Sequence, residues 1–183
     1  MKVTSGKLKH KNIYSLNKKT LRPTSVKVRQ AIFNILIHRF SWHDWAKESF
    51  ILEPYAGTGA VSIELLSNGI LGSSLIEKDR DTFFNLKKNI EYLNLSSKTN
   101  LFNQDFLSFK NLDTKYKLIF LDPPYKDNLL DISIEKILDE KIASENSFII
   151  CESHKNHIFK NMFIKKKVLS KKYGKLKVTF FLT

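Results

Sequence analysis

Phe50-Ile51-Leu52-Glu53-Pro54-Tyr55-Ala56-Gly57-Thr58-Gly59 runs apolar for a strand's length, turns through two glycines, and passes directly into a segment of helical period, Ala60 to Asn68. That order spells a β–α unit, and glycines in its turn let a ligand approach the backbone at the carboxyl edge of a sheet. Gly69 is placed to close the helix in a left-handed conformation. Outward from this unit the pattern repeats. Ser74 to Glu77, Asn100 to Asn103, Leu118 to Leu121 and Ser147 to Cys151 are candidate strands, with Asp81 to Asn94 and Asn128 to Lys141 as helices between them. Short apolar runs alternating with helical segments predict an α/β fold with a mostly parallel sheet covered on both faces. Upstream, Val26 to Phe40 places Val26, Phe33, Ile37 and Phe40 near one helical face, with Thr24 or Ser25 as N-cap after Pro23. Lys2 to Leu16 holds short β-like stretches around Gly6. The tail pairs Phe163 to Leu169 with Lys175 to Leu182 across Tyr173-Gly174, an antiparallel hairpin added to the sheet.

With 183 residues, 42% hydrophobic and 27% charged, the chain has the material for one globular domain and is not of disordered composition. Its apolar runs fall short of the ~18 residues of a membrane helix, and no apolar segment follows the basic start, so neither a spanning helix nor a signal peptide is expected. One cysteine, Cys151, excludes an internal disulfide or a thiolate cluster and suits a reducing cytoplasm. The net charge of +13 is unevenly placed. Met1 to His43 and Ser153 to Thr183 contain ten and nine Lys or Arg and no acid, whereas Asp44 to Glu152 has 12 bases and all 18 acids. Basic ends on a mildly acidic body suggest termini that face a polyanion. The expected division is a basic extension, residues 1–43, followed by a catalytic body, residues 44–183. Lys7, Lys9 and Lys11 are phosphate contacts in this reading.

Four features could carry chemistry. Ser62 stands where a dinucleotide fingerprint wants its third small residue, which weakens a pyrophosphate reading. Glu53 would repel phosphate but could accept a hydrogen bond from a ligand ammonium, such as that of S-adenosylmethionine. Glu77, twenty residues after Gly57 and at the end of the next strand, can hold both ribose hydroxyls of an adenosine-type cofactor. Asp79 and Asp81 beside it suit the start of the next helix. Asp105 could accept an adenine amino group with Phe106 packed nearby, or simply shape a loop. Asp122-Pro123-Pro124-Tyr125 follows a strand, and its prolines stiffen the turn. An exocyclic base amine is a poor nucleophile, because its lone pair is delocalised into the ring. Hydrogen bonds to Asp122 and the Pro123 carbonyl could aim that lone pair at a methyl donor while Tyr125 stacks on an extruded base. Elsewhere, Cys151 reads as core, His154 and His157 as solvated or RNA-facing, and Trp42 and Trp45 as packing a helix on the body.

Arg22-Pro23-Thr24, Val28-Arg29, Phe33-Asn34, Glu53 to Gly59, Ile76-Glu77-Lys78-Asp79, Gln104-Asp105, Asp122 to Tyr125 and Tyr173-Gly174 together resemble the RsmD family, bacterial 16S ribosomal RNA guanine-N2 methyltransferases. The resemblance spans almost the whole chain. It implies a Rossmann-like class I methyltransferase fold with a seven-stranded sheet, and S-adenosylmethionine as cofactor. Asp122, Pro123, Pro124 and Tyr125 then form the catalytic turn. Glu53, Ala56, Gly57, Thr58, Gly59, Glu77, Lys78, Asp105 and Phe106 hold the cofactor, and Arg22, Thr24 and Arg29 join the lysines on the RNA. The implied partner is ribosomal RNA within a small-subunit particle, met by a monomer without metal or membrane. The chain departs from the pattern at Glu53, where aspartate is usual, at Pro54-Tyr55 in place of Leu-Phe, and in a tail that lacks an acid after Tyr-Gly. Two other readings stay open. A DNA adenine-N6 methyltransferase shares Asp-Pro-Pro-Tyr but usually carries a target-recognition domain for which there is no room. A non-catalytic RNA-binding module would keep the basic ends without needing Glu77 or the Asp122 turn.

Overall fold

Ile51 and Leu52 point to opposite faces of strand β1 (Phe50–Glu53), and both are fully buried. A strand covered on both sides belongs at the centre of a parallel sheet. In the computed structural model, which describes residues 1–16, 25–110, 114–125, 128–160, 163 and 166–183, β1 pairs in parallel with β2 (Gly72–Ile76) on one side and β4 (Tyr116–Leu121) on the other. Adding β3 (Thr99–Phe102), β5 (Ala143–His154), β6 (Lys167–Tyr173) and β7 (Leu176–Leu182) gives a seven-stranded sheet of order β3-β2-β1-β4-β5-β7-β6. Only β7 runs against its neighbours. The expected doubly covered sheet with a C-terminal hairpin is therefore present. Strand order reverses between β1 and β4, and that reversal opens a crevice at the carboxyl ends of the two strands.

Several boundaries move. β2 starts at Gly72 and stops at Ile76, so Glu77 is the first residue past the strand rather than its last. Pairing with β1 sets this start, since Phe50 lies opposite Gly72. β5 is much longer than Ser147 to Cys151, because β7 pairs with its end as far as His154. The paired part of the tail begins at Lys167, not Phe163.

Two cores flank the sheet. The first lies under helices α1 (Val26–Arg39), α3 (Ala60–Ser67) and α4 (Arg80–Tyr92), and the second under α5 (Leu129–Asp139). Ser25 is the N-cap of α1, its hydroxyl accepting the Val28 N–H, while Val26 is exposed and the buried stripe runs through Val28, Ile32, Phe33 and Leu36. Trp42, in the short helix α2 (Trp42–Trp45), stacks edge-on against Phe33, and Trp45 packs on Phe148, as expected of residues that seat a helix on the body. Cys151 is buried, and burial pushes its thiol pKa up.

The first sixteen residues are bound to this layer by polar contacts the sequence does not advertise. Glu64, buried on α3, accepts hydrogen bonds from the amides and hydroxyls of both Thr4 and Ser5. Ser67 and Asn68 extend the clamp to Ser5 and Leu8. Val3 and Ile13 enter the first core from this segment, and Lys2 bridges Asn12 in an antiparallel contact.

Candidate functional site

Gly57 and Gly59 adopt left-handed conformations, φ +55° and +74°. Gly59 is the N-cap of α3; its positive φ would strain any L side chain, and a Cβ there would stand 2.5 Å from Leu86 Cδ1, which would have to shift. At Gly57 a Cβ would meet nothing within 4 Å, which leaves that stretch of backbone uncovered at the crevice. Glu77 faces this turn. Its Oε2 accepts the Gly57 N–H at 2.9 Å and its Oε1 accepts the Asp79 N–H at 2.8 Å. Burial is the main force holding its pKa above the ordinary carboxylate value, against the pull of these bonds. An ionised carboxylate offers about four acceptor positions, so Glu77 keeps capacity for ligand hydroxyls.

Glu53 lies deeper than a ligand-facing role requires. It is buried, and its Oε2 takes both the Ser62 N–H, at 3.0 Å, and the Ser62 hydroxyl. Glu53 and Ser62, each a departure when read alone, thus form one pair that ties β1 to the first turn of α3. Burial, only partly offset by these bonds, pushes the Glu53 carboxyl up to about 7. An acid whose folded pKa lies above its unfolded value of about 4.5 holds extra proton in the folded state. Its contribution to stability is therefore complete below pH ~4.5 and is lost as pH rises to about 7. Denaturant titrations should show Glu53→Gln flattening the fall in stability of the parent between pH 5 and 8; parallel curves would reject the raised pKa.

Asp105 accepts a hydrogen bond from Lys78 Nζ at 2.6 Å and from the Leu107 N–H at 3.0 Å. The bond from Lys78 is the main cause of its lowered pKa. Lys78 and Asp105 thus meet as a pair at the same rim. Phe106 does not line the site: its ring is buried in the second core against Tyr55, so only its main chain could reach a ligand. Asp122 is half-buried directly past β4, beside the end of β1. Pro123 is buried, Pro124 exposed, and the Tyr125 side chain is open to solvent, with the residue 53% exposed. The glycine turn, Glu77 and the Asp122 turn therefore share one carboxyl edge.

Among the expected RNA contacts, Lys7, Lys9 and Lys11 are exposed. Arg22 and Thr24 lie outside the described residues. Arg29 is a correction, for it is 1% exposed and donates to the Lys2 carbonyl at 3.0 Å from inside the protein. Its charge sits in the field of Glu64 and Glu53, and burial lowers its pKa. A guanidinium so enclosed anchors the amino terminus and cannot meet a phosphate. His157 also differs from expectation. Its Nε2 is 3.5 Å from Asp131 Oδ2 and its ring lies edge-on to Phe159, so it packs against the protein instead of standing in solvent.

Two polar residues escaped the sequence reading. The Tyr55 hydroxyl is 2.7 Å from Ser133 Oγ, tying the glycine turn to α5, the helix that follows the Asp122 turn. Tyrosine at the position where phenylalanine is usual was the available signal, since a buried hydroxyl needs a partner. Asn89, fully buried on α4, donates to the Thr58 carbonyl at 3.1 Å and also bonds the main chain of Tyr14. A polar residue on the helix face that carries Leu86 and Ile90 was its only mark.

The family described as Conserved hypothetical protein 95 matches residues 1–182. A ribosomal RNA small subunit methyltransferase D of Buchnera aphidicola subsp. Acyrthosiphon pisum is 34% identical over 155 residues, 84% of this chain and 78% of that protein. The protein of that name from Haemophilus influenzae is 28% identical over 160 residues, 85% of this chain and 80% of its own. In three dimensions, a hypothetical protein of Thermus thermophilus superposes with TM-score 0.81 at 21% identity, covering 100% of this chain and 99% of that one. An RNA methyltransferase of Salinibacter ruber, in complex with S-adenosyl-L-homocysteine, superposes with TM-score 0.65 at 14% identity, covering 88% and 93%. With an α/β sheet of the same architecture and a family match that runs nearly end to end, this chain belongs to the Conserved hypothetical protein 95 family, that of the ribosomal RNA small subunit methyltransferase D proteins.

Proposed function

We propose that this protein transfers a methyl group from S-adenosylmethionine to the exocyclic N2 amine of a guanine in small-subunit ribosomal RNA. The observation that carries this reading is the Asp122 turn, which stands at the end of β4 on the same edge as the uncovered Gly57 backbone and the Glu77 carboxylate. The residues fit the cofactor. Glu77 has acceptor capacity for ribose hydroxyls, the glycine turn leaves room over its backbone, and Asp105 can receive an amino group beside its bond to Lys78. The cofactor supplies an electrophilic methyl group on a positively charged sulfur. Asp122 and the Pro123 carbonyl accept the two amine hydrogens of the target base, which sets its nitrogen lone pair perpendicular to those bonds. Tyr125, 53% exposed at the rim, would stack on the base. As the N–C bond forms and the S–C bond breaks, the nitrogen becomes acidic and its surplus proton leaves to solvent. No strong base is needed, so position and electrostatics supply the acceleration.

The relatives' names support ribosomal RNA as substrate, and the acid-free first 43 residues support phosphate contact. The reading includes an assembled small-subunit particle as the form in which the RNA is met, and a monomer as the acting species. Labelled methyl transfer to undermethylated small subunits, to deproteinised ribosomal RNA and to duplex DNA, followed by mapping of the product base, tests it. A methylated guanine N2 in the RNA is expected; product on adenine in DNA alone, or none, overturns it. Calorimetry adds a second check. Glu77→Ala should bind S-adenosylmethionine at least about tenfold more weakly, because it removes charge-assisted hydrogen bonds worth ~1.5 to 3 kcal/mol. Equal affinity would reject the cofactor assignment.

A further inference from the structure

Tyr14 and Tyr92 stand together on the outer face of α4, 51% and 49% exposed, their rings edge to face with centroids 5.4 Å apart. The charge a neighbouring Tyr14 phenolate would carry holds the Tyr92 pKa above its ordinary value. The backbone beneath is fixed. The Tyr14 N–H donates to Asn89 Oδ1 at 2.8 Å, and the Tyr14 carbonyl accepts from Asn85 and Asn89, both at 2.9 Å. Since Asn89 also holds the Thr58 carbonyl in the glycine turn, one buried amide sets the distance between this aromatic pair and the cofactor edge. Two half-exposed rings are a poor use of apolar surface for stability alone. Their surroundings favour a polyanion: Met1 to Leu16 carries Lys2, Lys7, Lys9 and Lys11, all exposed, and no acid. On α4, Lys88 is exposed one turn before Tyr92, and the nearby Glu91 is offset by Lys87 at 3.9 Å.

We propose that Tyr14 and Tyr92 form a stacking edge for an unpaired base of the RNA substrate, next to the phosphate-binding lysines of the N-terminal segment. Single-stranded nucleic acid is held by this combination, cations along the backbone and aromatic faces for the bases. A tyrosine pair already packed edge to face, on a backbone fixed by Asn85 and Asn89, loses less side-chain entropy when a base lands on it than two separate rings would. The inference rests on RNA as substrate and adds a contact away from the target base, distinct from the Tyr125 face.

The test measures binding of undermethylated small-subunit particles and of deproteinised small-subunit ribosomal RNA at several salt concentrations. Tyr14→Ala and Tyr92→Ala are each expected to bind about tenfold more weakly with the salt slope of the parent, since stacking releases no counterions. Tyr14→Phe and Tyr92→Phe should retain most of the affinity, the ring being kept. Charge reversal at Lys7, Lys9 and Lys11 should instead weaken binding and flatten the slope. In methyl transfer the alanine variants should raise KM for RNA while kcat and cofactor affinity stay at parental values, a split that a general loss of structure would not produce. RNA affinity within twofold of the parent in both alanine variants overturns the stacking edge and leaves the proposed activity standing. Loss of affinity for whole particles but not for naked RNA would assign the surface to a protein partner and overturn it equally. If the parent itself neither binds nor methylates the RNA, free or in the particle, the proposed function fails first.

Discussion

Asp122→Ala is expected to methylate RNA on the order of a hundredfold more slowly than the parent while melting at nearly the same temperature. Asp122 stands directly past the last residue of β4 and is half-buried, whereas Glu53 is 3% exposed, so replacing Asp122 removes less buried material. On the proposed function the substitution removes a preorganised acceptor for the amine, and fixed groups of this kind contribute about 2.7 to 4 kcal/mol to transition states. The loss should fall on kcat, because the base can still enter and stack. Tyr125→Ala should act differently, raising KM for RNA through lost stacking of about 1 to 3 kcal/mol. Tyr125→Phe should be nearly neutral. Single-turnover rates at saturating RNA separate these outcomes. A parental rate for Asp122→Ala, or simple unfolding, would remove the catalytic role given to this turn.

Glu64→Ala should be the most damaging single change to stability, at about 3 kcal/mol or more. Four donors from Thr4 and Ser5 converge on its carboxylate, two of them main-chain amides that lose their acceptor with it. The loss also deprives buried Arg29 of one of the two negative charges that offset its desolvation, leaving Glu53, whose own charge is weakened by its raised pKa. For a chain of this size such a loss corresponds to a fall in Tm of about 6 to 12 °C. Hydrogen exchange should show residues 1–16 losing protection before the sheet does, since Glu64 secures that segment in particular. Uniform loss of protection, or a change below about 1 kcal/mol, would contradict the clamp.

The β–α alternation, the glycine turn and the C-terminal hairpin were legible because each rests on local pattern: apolar runs of strand length, helical spacing, a turn residue where the chain reverses. Strand ends were less so, since β2 and β5 take their limits from the neighbours they pair with. Polar contacts between distant parts of the chain were illegible. Glu64 meets Thr4 across 60 residues, and Tyr55 meets Ser133 across 78. Nothing in the local sequence of either partner specifies such a meeting. Arg29 shows the cost most plainly. Beside Arg22 in a basic segment it reads as a phosphate contact, but α1 turns its 28, 29, 32, 33 and 36 positions inward, and the guanidinium goes with them. Charge in a sequence locates a candidate surface, and helix rotation decides which cations reach it.

The placement of β6 gives the C-terminal lysines a second significance. Among the described residues β6 is the last strand of the sheet, paired only with β7, and Lys167, Lys171 and Lys172 along it are exposed. Three inter-strand steps of about 4.8 Å separate it from β4, which places these cations well to the side of the methyl-transfer crevice. An outermost strand presents unsatisfied amides and carbonyls to any passing chain, and lysines along such a border oppose its extension by a second molecule. Part of the protein's positive charge thus also opposes edge-to-edge pairing between copies. Replacing those three lysines with threonine should leave cofactor binding intact and lower the concentration at which the protein begins to aggregate.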